Sequence, residues 1–313
     1  VTSASFPLPT LGPRLQALAQ SLHAPDGDGF AVISGLDTTR FSTEENMIVY
    51  LGICAHIGSE RGKSLARSRN SRQMVVPLDK RHGIHTNSAL PFHNDMGCEL
   101  LCLQYREIAQ KGGATSVSSA AAIFADLEES FPKELATLMS EDWPVQLSAK
   151  PARFARLPLI AKHNGRVIIS VDPGRLGLHP ATAALRGGDC MLSEDQLRAL
   201  STLAQLADEH AVSIAARPGD MLFINNFALL HKRDAYTDAD TRRHLVRLWL
   251  RNPELSWEIP DNMKEPWKAA YGSLEGTFGY FLMPADDCYQ IVPEKEYKLP
   301  RYCSGSAAWL MEE

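Results

Sequence analysis

The sequence has no run of about 18 apolar residues, so nothing in it reads as a membrane-crossing helix. It has no basic surplus either. Its 32 Lys and Arg stand against 37 Asp and Glu, and a net charge of -5 argues against a nucleic-acid binder. The one basic concentration, Arg61 to Arg72, reads as a solvated loop. No CxxC pair occurs among Cys54, Cys98, Cys102, Cys190, Cys288 and Cys303, and their scatter fits reduced, buried thiols better than a disulfide frame. There is no glycine-rich P-loop or dinucleotide turn, no GxSxG and no HExxH, which sets aside nucleotide-binding and α/β-hydrolase readings. The opening VTSASFPLPTLGPRLQALAQ lacks the charged start and continuous apolar core of a signal peptide, and begins on Val1 as a trimmed chain would. Neither an internal repeat nor a low-complexity linker interrupts the chain. The expectation is a cytoplasmic enzyme, one domain over residues 1–313 with a sizeable core.

What is present is an ordinary globular composition, 44% hydrophobic and 22% charged. Leu11, Leu15, Leu18 and Leu22 recur at helical spacing and predict a helix over Gly12 to His23. GFAVISGL, Gly29 to Leu36, is a short β-rich run. Ser42 stands three residues before Glu45, a capping-box signature opening an apolar helix that runs to Gly58. CELLCLQYREI predicts a buried strand; the following GGATSVSSAAAIFADLEES predicts a Gly-Gly turn, a strand, and a helix from near Ser118. RVIISVD reads as a strand and Ser193 as the cap of a long helix. Between them, residues 173–190 carry too many Gly and Pro for a regular element and read as a lid-like insertion. RRHLVRLWLRNP alternates basic and apolar residues, the period of a strand with one buried face. Strands at both ends with helices between predict an α+β chain with a β-sandwich or jelly-roll core decorated by helices.

PFHNDMGCELLC places His93 and Asp95 two apart at the head of an apolar run. On a strand that spacing turns both to one side, where they could face one metal. A third ligand from His231, just past a strand and after the Asn225-Asn226 turn, would complete a two-histidine, one-carboxylate set. Such a set caps one face of an octahedral Fe(II) and leaves three positions open. The other histidines are weaker candidates. His244 neighbours Arg243, His56 and His210 sit on helix patterns, and His82, His85, His163 and His179 lie in loop-like contexts.

HND at 93–95, GGAT at 112–115, PGDMLFINNFALLH at 218–231 and RRHLVRLW at 242–249 occur in that order. Together with GFAVISGL and its Ser-capped helix, this ordered set resembles the TauD/TfdA (clavaminate-synthase-like) family of Fe(II)/2-oxoglutarate dioxygenases, from about Gly29 to Arg251. The resemblance implies a double-stranded β-helix and makes His93, Asp95 and His231 the iron ligands. It also implies that Thr115 and Arg243 hold the far carboxylate of 2-oxoglutarate, while Arg247 matches a position that often reaches a substrate acid. A guanidinium fork binds a carboxylate by two charge-assisted hydrogen bonds and stays cationic when buried. Arg242 or Arg247 could take the cosubstrate role instead, and Arg247 could simply brace a carboxylate of the site.

The implied activity is oxidation of an unactivated C–H bond in a small molecule, with O2 consumed and succinate and CO2 released. Hydroxylation is the default; desaturation, cyclisation or epimerisation are known diversions in the family. Arg247 points to a carboxylate-bearing substrate such as an amino acid or a secondary-metabolite intermediate, with His85, Asn87 and Arg175 as further pocket candidates. The resemblance leaves room for a homo-oligomer. The chain departs from many relatives in reading His231-Lys232-Arg233 where they carry His-Gly-Arg, and in placing Phe227 after the Asn pair. Neither change touches an expected ligand; both bear on the substrate pocket. Trp143, Trp249 and Trp257 read as core. A non-catalytic metal-binding jelly roll and a zinc hydrolase are the competing readings. Neither of them needs Thr115 or Arg243.

Overall fold

The computed structural model describes residues 1–62, 67–69, 86–149, 152–178, 188–238 and 243–271. Part of the expected lid-like insertion, the basic run beyond Arg69, His82, His85, His179 and Arg242 lie outside them. The described chain mixes helix and strand. Its strands are β1 (Phe30–Ile33), β2 (Glu60–Arg61), β3 (Arg67–Arg69), β4 (Leu90–His93), β5 (Leu100–Glu107), β6 (Lys111–Gly112), β7 (Thr115–Ser119) and β8 (Trp143–Ala149). They continue as β9 (Ala152–Leu157), β10 (Ile160–His163), β11 (Arg166–Ile169), β12 (Val212–Ile214), β13 (Met221–Asn225), β14 (Leu229–Arg233), β15 (Tyr236–Thr237) and β16 (His244–Arg251). The longer helices are α1 (Gly12–His23), α2 (Thr43–Ala55), α3 (Ala120–Ser130), α4 (Pro132–Met139) and α5 (Glu194–Glu209), with a short α6 (Glu265–Tyr271) at the end.

Two antiparallel sheets form the frame. The larger runs β1-β13-β5-β16-β2, with β3 also paired to β16; the smaller runs β12-β7-β14-β4. Strand alternation then sorts the side chains. On β5 and β16, Leu101, Tyr105, Leu245 and Trp249 turn inward and meet Val117, Ile214 and Leu229 of the smaller sheet in one apolar cluster. Leu100, Cys102, Val246 and Leu248 turn outward and are covered by Leu15, Leu22, Tyr50 and Cys54 of α1 and α2. The outer side of the smaller sheet, at Phe92 and Leu230, is covered by α3, α4 and α5 through Ile123, Leu127, Leu138 and Leu203.

Local signals explain the helix boundaries. The Leu-spaced helix spans Gly12–His23 as expected. Ser42 accepts from the Glu45 amide while Glu45 accepts from the Ser42 amide, and Ser193 and Gln196 form the same reciprocal cap on α5. The helix after GGAT starts at Ala120, capped by Ser119 rather than Ser118.

Five expectations change. Part of the basic run read as a solvated loop is strand, since Arg61 ends β2 and Arg67–Arg69 form β3, both paired with β16. The Ser42-capped helix ends at Ala55 rather than Gly58. β16 is buried on both faces, not one, because Arg247 points into the protein where it meets a carboxylate. His231 lies inside β14, not past a strand. The described start of the 173–190 segment is a turn in which Arg175 and Leu176 are fully buried.

Candidate functional site

β4 and β14 pair antiparallel with His93 directly opposite His231, and the two rings lie 4.3 Å apart, tilted by 47°. Asp95 joins them from outside the strand. β4 ends at His93, so the i, i+2 argument that set both side chains on one strand face does not apply. The loop brings the carboxylate round instead, and one nitrogen or oxygen from each of the three buried residues falls within 4.8 Å of the others. Among the described residues no other group of three His, Cys, Asp or Glu side chains converges this way.

Two asparagines hold that loop, and sequence reasoning gave them no role. Asn226 accepts from the Asp95 amide at 3.2 Å and donates to the Asp95 and Cys98 carbonyls, both at 2.9 Å. Asn94, the middle residue of HND, donates to the Asn226 and Leu229 carbonyls and accepts from the Val171 amide. Both are buried, and their bonds satisfy backbone groups that would otherwise be stranded away from water. The turn before the strand of His231 is thereby tied to the loop of Asp95. The available signal was an uncharged polar residue, asparagine, in the middle of each motif.

The protonation states suit a metal. His93 Nδ1 lies 2.8 Å from the Pro91 carbonyl, which can only accept, so Nδ1 donates there and Nε2 is the nitrogen left for a metal. Burial, assisted by His93, pushes His231 down to a pKa of about 3, with Asp95 opposing; the ring is neutral. Its Nε2 is 4.0 Å from Asp95 Oδ1, while its Nδ1 is buried without a partner. For Asp95, burial alone would raise the pKa. The adjacent Arg247, then His231, His93 and the Trp249 hydrogen bond, outweigh it and hold the carboxyl below its ordinary value. Two imidazoles and an ionised carboxylate are the donor set that suits non-haem Fe(II).

Above the cluster a cavity opens between the sheets. Leu101, Leu103 and Leu245 form its apolar wall, and three arginines, Arg233, Arg243 and Arg247, line it, whereas Lys232 turns to the outer face of the sheet and pairs with Asp208 at 2.5 Å. Thr115 lines it too, its Oγ1 accepting from the Tyr105 hydroxyl at 2.8 Å, which leaves the threonine proton to be donated. Arg243 precedes β16 rather than sitting in it, and its guanidinium lies over the Tyr236 ring at 5.3 Å with no hydrogen-bond partner among the described residues. Arg247, by contrast, is 2.9 Å from Asp95 Oδ2.

The remaining candidates divide. Arg175 is fully buried behind the cavity, not in it. Burial brings its pKa down to about 10 against the opposing charges of Asp172 and Asp95. Asn87 contributes only a backbone carbonyl to the Tyr236 amide. Phe227 points away from the cavity and stacks on Trp267 and Trp257 at 5.3 and 6.0 Å. Trp143 is core, but Trp249 also donates its indole N–H to Asp95 Oδ2 at 2.7 Å.

The GGAT turn shapes the mouth of the Arg243 pocket. Gly112 and Gly113 both have positive φ, at 75° and 74°. A Cβ at Gly112 would lie 2.2 Å from the Ala235 carbonyl oxygen, and one at Gly113 3.1 Å from Arg243 Cδ and Nε. Gly112→Ala is therefore expected to lower stability by about 2 kcal/mol, measured by urea unfolding. An unchanged midpoint would show that the turn tolerates a side chain.

On this frame, residues 1–249 match the family model described as taurine catabolism dioxygenase TauD, TfdA family. The taurine hydroxylase-like protein SAT17 of Stachybotrys chartarum is 34% identical over 282 residues, covering 83% of this chain and 70% of that protein. The FR-33289 synthase of Streptomyces rubellomurinus is 26% identical over 263 residues, covering 76% and 73%. Among solved structures, an asparagine oxygenase in complex with Fe(II), 2S,3S-3-hydroxyasparagine and succinate superposes with a TM-score of 0.59 at 16% identity, over 78% of this chain and 80% of that one. The chain belongs to the TauD, TfdA dioxygenase family, and is accordingly an Fe(II)- and 2-oxoglutarate-dependent oxygenase.

Proposed function

We propose that this protein oxidises an unactivated C–H bond of a small, carboxylate-bearing molecule, with His93, Asp95 and His231 holding the iron and Thr115 and Arg243 holding the far carboxylate of 2-oxoglutarate. The two facing sheets then correspond to the double-stranded β-helix core. The observation that carries this reading is the cavity. It has three convergent metal-type donors at one end and a lining of three arginines, of which Arg247 is paired with Asp95 and Arg243 has no carboxylate partner among the described residues. Such a lining favours anionic occupants. 2-Oxoglutarate is one of these, and a substrate acid is the second. The acid is placed on the cationic lining as a whole, because Arg247, which first suggested it, lies against Asp95. An amino-acid substrate is in keeping with the hydroxyasparagine bound by the structural neighbour.

The iron, when bound, supplies the activation of dioxygen that side chains cannot. The chain's own residues bind and orient. Arg243, buried and without a carboxylate partner among the described residues, receives the cosubstrate's far end by two charge-assisted hydrogen bonds, and Thr115 donates a third. Leu101, Leu103 and Leu245 keep water from the cosubstrate. Neutral His231 need lose no proton to serve as a ligand.

Anaerobic addition of Fe(II) and then 2-oxoglutarate to the metal-free protein tests this. A weak visible charge-transfer band that is lost in His93→Ala is expected. Succinate should then form with O2 when a panel of amino acids and other small acids is supplied. Iron binding without either the band or succinate would move a non-catalytic metal protein or a hydrolase ahead.

A further inference from the structure

Asp95 has no exposed surface, yet its two oxygens are not equivalent. Oδ2 accepts from Arg247 Nη1 at 2.9 Å and from Trp249 Nε1 at 2.7 Å. Oδ1 has only the longer branch of the Arg247 contact, 3.2 Å, and it is the oxygen that faces His231 Nε2, 4.0 Å away. Arg247 and Trp249 are i and i+2 on β16, so both side chains reach the same inner face. β16 is held by β5 along its length and by β2 and β3 on its other edge, and the indole is fully buried. The indole has no room to leave the carboxylate, and Arg247, at the cavity edge, is held to it by two contacts.

From this pairing we propose that Arg247 and Trp249 are positioning residues that restrict Asp95 to binding the metal through Oδ1 alone. The inference rests on the reading of His93, Asp95 and His231 as iron ligands. Its consequence is a count of positions on an octahedral ion. A carboxylate bound through both oxygens takes two positions, and the histidines take two more. The keto acid would fill the remainder, with no place left for dioxygen. With Oδ2 engaged by an N–H of Trp249 and one of Arg247, Asp95 takes one position, and three stay open. The same contacts make Arg247 a residue of the metal side of the cavity rather than the clamp for a substrate acid.

The experiment uses the full-length metal-free protein, its Trp249→Phe and Arg247→Gln variants, and His93→Ala, each titrated anaerobically with Fe(II) and then 2-oxoglutarate. Melting of the metal-free proteins followed by circular dichroism reports on the fold. Both positioning variants should bind Fe(II) about tenfold or more weakly. Their charge-transfer band should move to lower energy, because a carboxylate relieved of its donors gives more electron density to the ion. O2 uptake at saturating 2-oxoglutarate should fall as well. A purely structural role for Trp249 would change the melting but leave the band where it is. If Trp249→Phe does not fold, Arg247→Gln, at the cavity edge, decides alone. Native band position and native iron affinity in the folded variants would overturn the inference while leaving the iron site intact. Absence of the band in the native protein, or its survival in His93→Ala, would remove the iron reading and this inference with it.

Discussion

Asp95→Ala abolishes stoichiometric Fe(II) binding and lowers the stability of the metal-free protein by about 3 kcal/mol, whereas His93→Ala abolishes binding at a cost of about 1 kcal/mol. The two losses differ because of what each leaves behind. Removing the carboxylate strands the Arg247 guanidinium and the Trp249 N–H, both of which end on Asp95. Breaking a buried ion pair from one side leaves an uncompensated charge, and that penalty is larger than the worth of the intact pair. The figure sits at the low end of the usual range because Arg247 borders the cavity and can reach water. Among the described residues His93 is hydrogen-bonded only to the Pro91 carbonyl, so its removal strands no partner's charge. Urea unfolding of the two metal-free variants beside the native protein measures the difference. Equal stabilities would mean that Arg247 finds other partners once Asp95 is gone.

Arg243→Ala raises the 2-oxoglutarate concentration needed for half-saturation by about two orders of magnitude without lowering the stability of the metal-free protein. Two charge-assisted hydrogen bonds at about 1.5 kcal/mol each correspond to roughly a hundredfold. The stability half of the prediction has a separate cause. The guanidinium is buried without a carboxylate partner among the described residues, and that burial depresses its pKa. Such a cation contributes little to the metal-free fold beyond its contact with Tyr236. Band titration gives the first quantity and thermal unfolding the second. Unaltered 2-oxoglutarate affinity would move the clamp to another cation of the lining, and a drop in stability above about 1 kcal/mol would make Arg243 a structural residue.

The helices and most strands were legible because their signals are local. Leucine spacing set α1 to the residue, and Ser42 with Glu45 set the start of α2. The three metal-type residues were legible for a different reason: residue types of that kind seldom head or interrupt apolar runs, and their order matched a family. What was not legible is how they are brought together. A period-two argument placed Asp95 on a strand face, but the chain leaves the strand at His93 and depends on Asn226, 131 residues away, to turn the carboxylate inward. Alternation in RRHLVRLW suggested an exposed basic face, since an arginine's partner cannot be read from its own neighbours. Arg247 is buried because Asp95 is there, and Trp249 was counted as core because nothing in the spacing marks an indole N–H as aimed at a carboxylate.

The asparagine ties between the Asp95 loop and the Asn226 turn also set the order of events in biosynthesis. Asn94 and Asp95 leave the ribosome long before the residues that fix them, and His93 waits equally long for His231, its neighbour across the sheet. Until β14 has emerged and paired, the nascent chain offers an ion only a mobile His-x-Asp segment, of the kind any unfolded protein contains. The three donors therefore meet only in the paired sheet, so an ion that binds them favours the folded chain over the unfolded one and adds to its stability.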